Sequence, residues 1–157
     1  MTSPQHTHDF GTHIGKALVY GTCRHGLLIF TEPEFPEIPP QVPGGTIAPG
    51  EMPEAAARRE FAEETGQSVT GAMHLLCRDQ MRIRADGRAH EVTRFHFHTR
   101  LPDQLPRGWD HWEQFANDGA APILFRFSWI GLDQAAVMLG PDQAAVIARL
   151  RTHLRSP

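Results

Sequence analysis

Six prolines fall between Glu32 and Gly50, at positions 33, 36, 39, 40, 43 and 49, and no other feature constrains the fold so tightly. Proline fixes φ and lacks an amide hydrogen, so a segment this rich in it excludes both a helix and a central strand. Nothing else along the 157 residues divides the chain in two, and that length suits one compact domain. The segment is therefore expected to be a rigid loop wrapped over a single domain spanning 13–157, with residues 1–12 as a flexible, polar N-terminal tail.

Beyond the loop, Pro53–Thr65 carries the clearest helical pattern. Pro53 suits the first helical position, where a missing N–H costs nothing. The run from Glu54 to Glu60 consists of strong helix formers, and Gly66 stands where a C-terminal stop belongs. Ala57 and Phe61 supply a narrow apolar stripe. Ahead of the loop, Lys16–Thr22 and Gly26–Thr31 have strand-like apolar cores around a turn at Cys23–Gly26. After the helix, Met73–Arg84 and Arg88–Thr99 flank Asp86-Gly87, a strong hairpin signal. A loop is expected from Leu101 to about Ala121, then a strand over Ile123–Ile130. Asp142–Leu154 closes the chain as an amphipathic helix, with Ala145, Ile147, Ala148 and Leu150 toward the core. Strands, helix, strands, helix in that order predict an α+β protein, an α/β/α sandwich around a mixed central sheet.

Lys and Arg total 15 against 18 Asp and Glu, a formal charge of −3. That balance excludes a strongly basic nucleic-acid coat and a polybasic membrane anchor. Two cysteines make no disulfide scaffold. No apolar run approaches the roughly 20 residues that a bilayer span requires, and the polar N-terminus has no secretory h-region. These features predict a soluble, cytoplasmic protein with no membrane and no stable nucleic-acid partner.

The chemistry concentrates on the helix. Glu60, Glu63 and Glu64 lie at i, i+3 and i+4, which puts three carboxylates in one narrow sector of its surface. Like charges at these spacings repel by roughly a few tenths of a kcal/mol per pair. A hard divalent cation removes that cost, because Mg²⁺ prefers oxygen ligands. For such a cluster taken alone, a solvated acidic face is the plainer explanation. Its flanks shift the balance.

Reading outward gives Gly45, five residues, Glu51, seven residues, and then Arg59-Glu60-Phe61-Ala62-Glu63-Glu64-Thr65-Gly66. This run resembles the signature of the Nudix hydrolases, G-x5-E-x7-R-E-U-x-E-E-x-G-U, with U a bulky apolar residue. Gln67 departs at the final U, and Val69 is expected to take part of that packing role. The resemblance implies a loop–helix–loop that binds Mg²⁺ or Mn²⁺ and hydrolyses a nucleoside diphosphate linked to another group, a nucleotide sugar, a (d)NTP or a relative. Position by position, it makes Glu60, Glu63 and Glu64 metal ligands, adds the Gly45 carbonyl, and gives Arg59 and Glu51 the task of bracing the loop. Glu63, Glu64 and Arg59 are thereby expected to be catalytic.

The general base is either within this helix or on a downstream loop, where Asp103, Asp110, His111 and Glu113 stand; Glu113 is favoured, then Asp110. Candidate substrate-binding residues are Arg82, Arg84 and Arg94 for phosphate, and Trp109, Trp112, Phe115 and Phe35 for stacking a base. The expected partner is a small nucleotide, with a homodimer also expected as an option. Marks that separate subgroups of the family are missing: Gln80–Arg84 holds no proline, and Tyr20 is the only tyrosine.

His96 and His98 share one strand face, with Phe95 and Phe97 on the other. Such a pair begins a transition-metal site in cupin-like barrels, but residues 99–112 contain no glutamate and Ile123–Ile130 no histidine. The pair is read instead as outward-facing or as lining the substrate pocket. A nucleotide-sensing module that does not cleave its ligand is the competing class, and the intact set of charged positions favours an enzyme over it.

Overall fold

The computed structural model describes residues 13–113 and 120–157. Among these, seven strands form one sheet in the order β4-β5-β1-β2-β7-β6, with β3 also paired to β1. The strands are β1 (His13–Cys23), β2 (Gly26–Thr31), β3 (Gly44–Thr46), β4 (Met73–Ala85), β5 (Arg88–Arg100), β6 (Gly108–Glu113) and β7 (Ile123–Ile130). β1 and β5 run parallel while the other pairs are antiparallel, so the sheet is mixed, as expected. Both expected hairpins form. Asp86 and Gly87 have φ of 51° and 74°, the positive values that a two-residue turn needs to match the strand twist.

Alternation along β1 sends its side chains to two different cores. Ala17 and Val19 join Leu28, Phe30, Phe97 and Phe127 beneath helix α1 (Pro53–Thr65), which contributes Ala56, Ala57 and Phe61. Leu18 and Tyr20 join Leu27 and Ile29 on the opposite face. That face is covered by α2 (Leu132–Met138), α3 (Pro141–Ala144) and α4 (Ile147–Arg155). Val69 packs against the α1 core, which is where the sequence reading put the role that Gln67 gives up.

Four local expectations are corrected. The proline-rich segment is not all loop: Gly44–Thr46 pairs with β1, and the Pro43 carbonyl accepts the Val19 N–H at 2.7 Å. Proline cannot donate to a ladder, but it can accept. The expected loop after Leu101 contains β6, whose inward residues are Trp109, His111 and Glu113; two of these are polar, which hid the period-2 pattern. Helix α2 was not anticipated; it is short, and Gln134 reaches back to the Gly131 N–H at 3.1 Å to start it. The closing helix is split, because the Gln143 carbonyl accepts from Val146 three residues on and tightens the turn there.

The histidine pair is also corrected. His96 and His98 are 0% and 5% exposed, so they face neither solvent nor the acidic cavity. His96 Nδ1 lies 3.2 Å from the Tyr20 hydroxyl, and His98 Nε2 lies 2.8 Å from Thr22 Oγ1. Phe115 and residues 1–12 lie outside the described residues.

Candidate active site

Helix α1 begins without a side-chain cap at Met52 and relies on Pro53 at its first position. It ends at Gly66, whose φ of 72° is the left-handed value that glycine adopts without steric cost, and whose N–H bonds the Ala62 carbonyl at 3.0 Å. Its last carbonyls have no partner within the helix, and β6 supplies two. The Trp109 indole N–H donates to Thr65 O at 2.8 Å, and His111 Nε2 donates to Glu63 O at 3.1 Å. The same strand face continues to Glu113. Thus the helix that carries the acidic cluster and the strand that carries Glu113 are tied at one end.

A cavity of about 390 Å³ opens between these elements, lined by Lys16, Gly44, Gly45, Thr46, Arg59, Glu60, Glu63, Glu64 and Glu113. Arg59 spans it. Its Nε and Nη2 hold both Glu51 oxygens at 2.9 Å, Nη2 also reaches Thr46 O at 3.0 Å, and Nη1 binds Glu60 at 2.7 Å and Glu63 at 3.2 Å. The paired Arg59 hydrogen bonds hold the Glu51 carboxyl down at about 2, with the Ala48 N–H helping. Arg59 and Glu51 therefore tie the loop between β3 and α1 to the helix.

Glu64 is 5% exposed and accepts the Gly44 N–H at 2.9 Å. Burial pushes its carboxyl well above the usual range, against the Gly44 bond, and Glu113 and Glu60 add to the rise. Burial likewise raises Glu60 despite Arg59, and raises Glu113, with Glu60, Glu32 and Glu63 adding repulsion. A methyl group at Gly45 would overlap the Glu60 carboxylate, so only glycine leaves room for that side chain.

The donor set suits Mg²⁺ or Mn²⁺: it is all oxygen, and two of its carboxylates, Glu60 and Glu64, are destabilised as anions by burial and by neighbouring carboxylates. Among the described residues no three acidic, histidine or cysteine side chains converge on one point. Glu60 and Glu63 are instead turned onto Arg59.

The cavity brings together Gly45, Arg59, Glu60, Glu63, Glu64 and Glu113 from the sequence reading. It does not include Asp103, which accepts the Arg24 N–H at 2.8 Å, or Asp110, which is bound at both oxygens by Arg126 on the outer face of β6. Arg82 and Arg84 are exposed on the β4–β5 hairpin, outside the lining, with Arg82 paired to Glu91 at 3.1 Å. Arg94 is held by Asp79 and Asp142 on the far face of the sheet. Trp109 is likewise outside the lining: its N–H is used at Thr65, and its ring stacks on Phe127 at 5.0 Å. Lys16 was missed. The available signal was that it is the only lysine in the chain.

Residues 17–150 match the model of the NUDIX domain family. The chain belongs to that family, the Nudix pyrophosphohydrolases. Among solved structures, the MutT protein from Methanosarcina mazei Go1 superposes with a TM-score of 0.62 at 15% identity, covering 92% of this chain and 97% of that one. The Caenorhabditis elegans Ap4A hydrolase gives 0.56 at 17% identity, covering 90% and 97%. The NUDIX domain of Shewanella oneidensis NrtR, complexed with ADP ribose, gives 0.60 at 17% identity, covering 91% and 88%. At these identities the likeness is one of fold. No functionally curated protein matches the chain.

Proposed function

We propose that the protein is a Mg²⁺- or Mn²⁺-dependent hydrolase of the diphosphate bridge in a nucleoside diphosphate linked to a second group. The observation that carries this reading is the clustering of Glu60, Glu63, Glu64 and Glu113 around one cavity floored by Gly44 and Gly45. Glu60, Glu63 and Glu64, with the Gly45 carbonyl, would hold the cations. Bound there, divalent cations would neutralise charge on the diphosphate, orient a water and stabilise the leaving phosphate. Arg59 fixes the carboxylates of Glu60 and Glu63 in position, and burial of Glu64 keeps bulk water from competing for it.

Glu113 is the general base in this proposal, because it is the one of the four downstream candidates whose side chain lines the cavity. His111 serves it indirectly, by fixing β6 on the helix end. A panel of nucleotide sugars, (d)NTPs, dinucleoside polyphosphates and capped RNA, with products identified by mass, tests the reading. Turnover is expected with magnesium and lost on chelation. A chain that binds ADP ribose or a dinucleoside polyphosphate without cleaving any member of the panel would be a sensing module instead. Glu113→Gln should lower kcat by about 10²-fold or more at little change in KM, and an unaltered kcat would return the base to the helix.

A further inference from the structure

The acidic cavity must accept an anion, and its lining contains two cationic groups, Arg59 and Lys16. Arg59 has five N–H bonds, and the protein uses five: one from Nε and two each from Nη1 and Nη2. It has none left for a ligand. Lys16 differs. Its ammonium has three N–H bonds, and one goes to Thr46 Oγ1 at 2.8 Å. The other two have no protein acceptor among the described residues, and none of the ion pairs there includes Lys16.

The hydrogen bond to Thr46 holds that ammonium beside the cavity. Lys16 lies on β1 opposite Thr46 of β3, the strand whose Gly44 and Gly45 line the cavity, and it shares that lining with the carboxylates of α1. Glu60, Glu64 and Glu113 all feel its charge. A lysine ammonium is a compact point charge that adapts to an approaching oxygen, unlike the planar guanidinium already locked across the cavity.

We propose that Lys16 is a substrate-binding residue whose ammonium holds a non-bridging oxygen of the substrate's diphosphate group. This rests on the reading that the cavity takes a diphosphate. All other Lys and Arg side chains are arginine, so acetylation by an amine-directed reagent, mapped by peptide mass spectrometry, reports on Lys16, with the N-terminal amine as internal reference.

Inorganic pyrophosphate with magnesium should slow acetylation of Lys16 several-fold and leave the reference unchanged. Lys16→Gln should raise KM for a cleaved nucleotide about 10- to 100-fold, with a smaller change in kcat, as expected for losing a charge-assisted hydrogen bond made alike in ground and transition states. Lys16→Arg should recover part of the loss. Equal acetylation with and without pyrophosphate, or an unchanged KM in Lys16→Gln, overturns the assignment. Shielding of Lys16 without hydrolysis of any diphosphate would leave it standing and remove the hydrolase reading.

Discussion

Gly44 and Gly45 are adjacent, and a methyl group would do different damage at each. At Gly44 the new carbon runs into the Ala17 carbonyl and Leu18 Cα, backbone atoms of the paired strand that have no room to retreat. Gly44→Ala is expected to destabilise the fold by about 1–3 kcal/mol, read by urea denaturation. At Gly45 it meets the mobile end of Glu60. Gly45→Ala should therefore keep near-normal stability while displacing Glu60, with kcat down by about 10²-fold or more. Loss of stability at Gly45 and none at Gly44 would invert this account. Glu64→Gln separates charge from shape at the buried end of the cluster. The amide keeps the Gly44 N–H bond available to its oxygen but removes an anion that burial disfavours. Turnover should fall by orders of magnitude, about 10²-fold or more, with no loss of melting temperature in the absence of metal. Wild-type turnover in that variant would remove Glu64 from the chemistry.

At the scale of elements, the site depends on how β6 meets α1. The helix offers carbonyls at its C-terminal turn that nothing within the helix satisfies, and Trp109 and His111 satisfy two of them from alternate positions on one strand. Glu113 is the next residue on that face. His111→Phe keeps the ring but removes the donor to Glu63 O, and should cost about 1 kcal/mol of stability. His111→Gln, with its amide nitrogen near the place of Nε2, should restore most of it. The same pair should show kcat falling in Phe and recovering in Gln, because slack at this junction moves Glu113 relative to the helix glutamates. Equal kcat in both variants would mean that β6 is held by Trp109 alone.

For the whole molecule, the sheet separates two polar environments of opposite purpose. On the α1 face, one buried and three part-buried carboxylates surround a cavity that favours a cation. On the other face, His98 is sealed under the closing helices with its Nδ1 unpartnered. Burial first, then His153 on α4, His74 on β4 and Arg100 on β5, push it from 6.5 down to about 4. Its folded value is depressed, so between those two pH values the unfolded chain binds a proton that the folded chain refuses. Stability is therefore lost as pH falls from 6.5 toward 4, by on the order of 3 kcal/mol from this residue. Denaturant melts at pH 7 and 4.5 should show that loss shrinking in His98→Asn. An equal pH dependence in wild type and variant would mean that His98 takes up its proton alike in the folded and unfolded chain.

Local sequence determined the helix with its proline start and glycine stop, the Asp86-Gly87 turn, and the face shared by Glu60, Glu63 and Glu64. Each depends on backbone geometry over a few consecutive residues, so spacing alone revealed it. The signature spacing carried the family and, with it, a bracing role for Arg59 and Glu51, whose pairing appears only in the fold. The place of Lys16 was decided only in three dimensions, and Glu113, favoured from the sequence, was separated from Asp103, Asp110 and His111 only there. Lys16 and Glu113 stand 97 residues apart in the chain (113 − 16), and strand pairing rather than any local pattern brings both to the cavity. Arg82, Arg84 and Trp109 failed as cavity residues for the same reason. Charge and aromaticity are visible in sequence, whereas the side of the sheet and the partner that claims a donor are properties of packing.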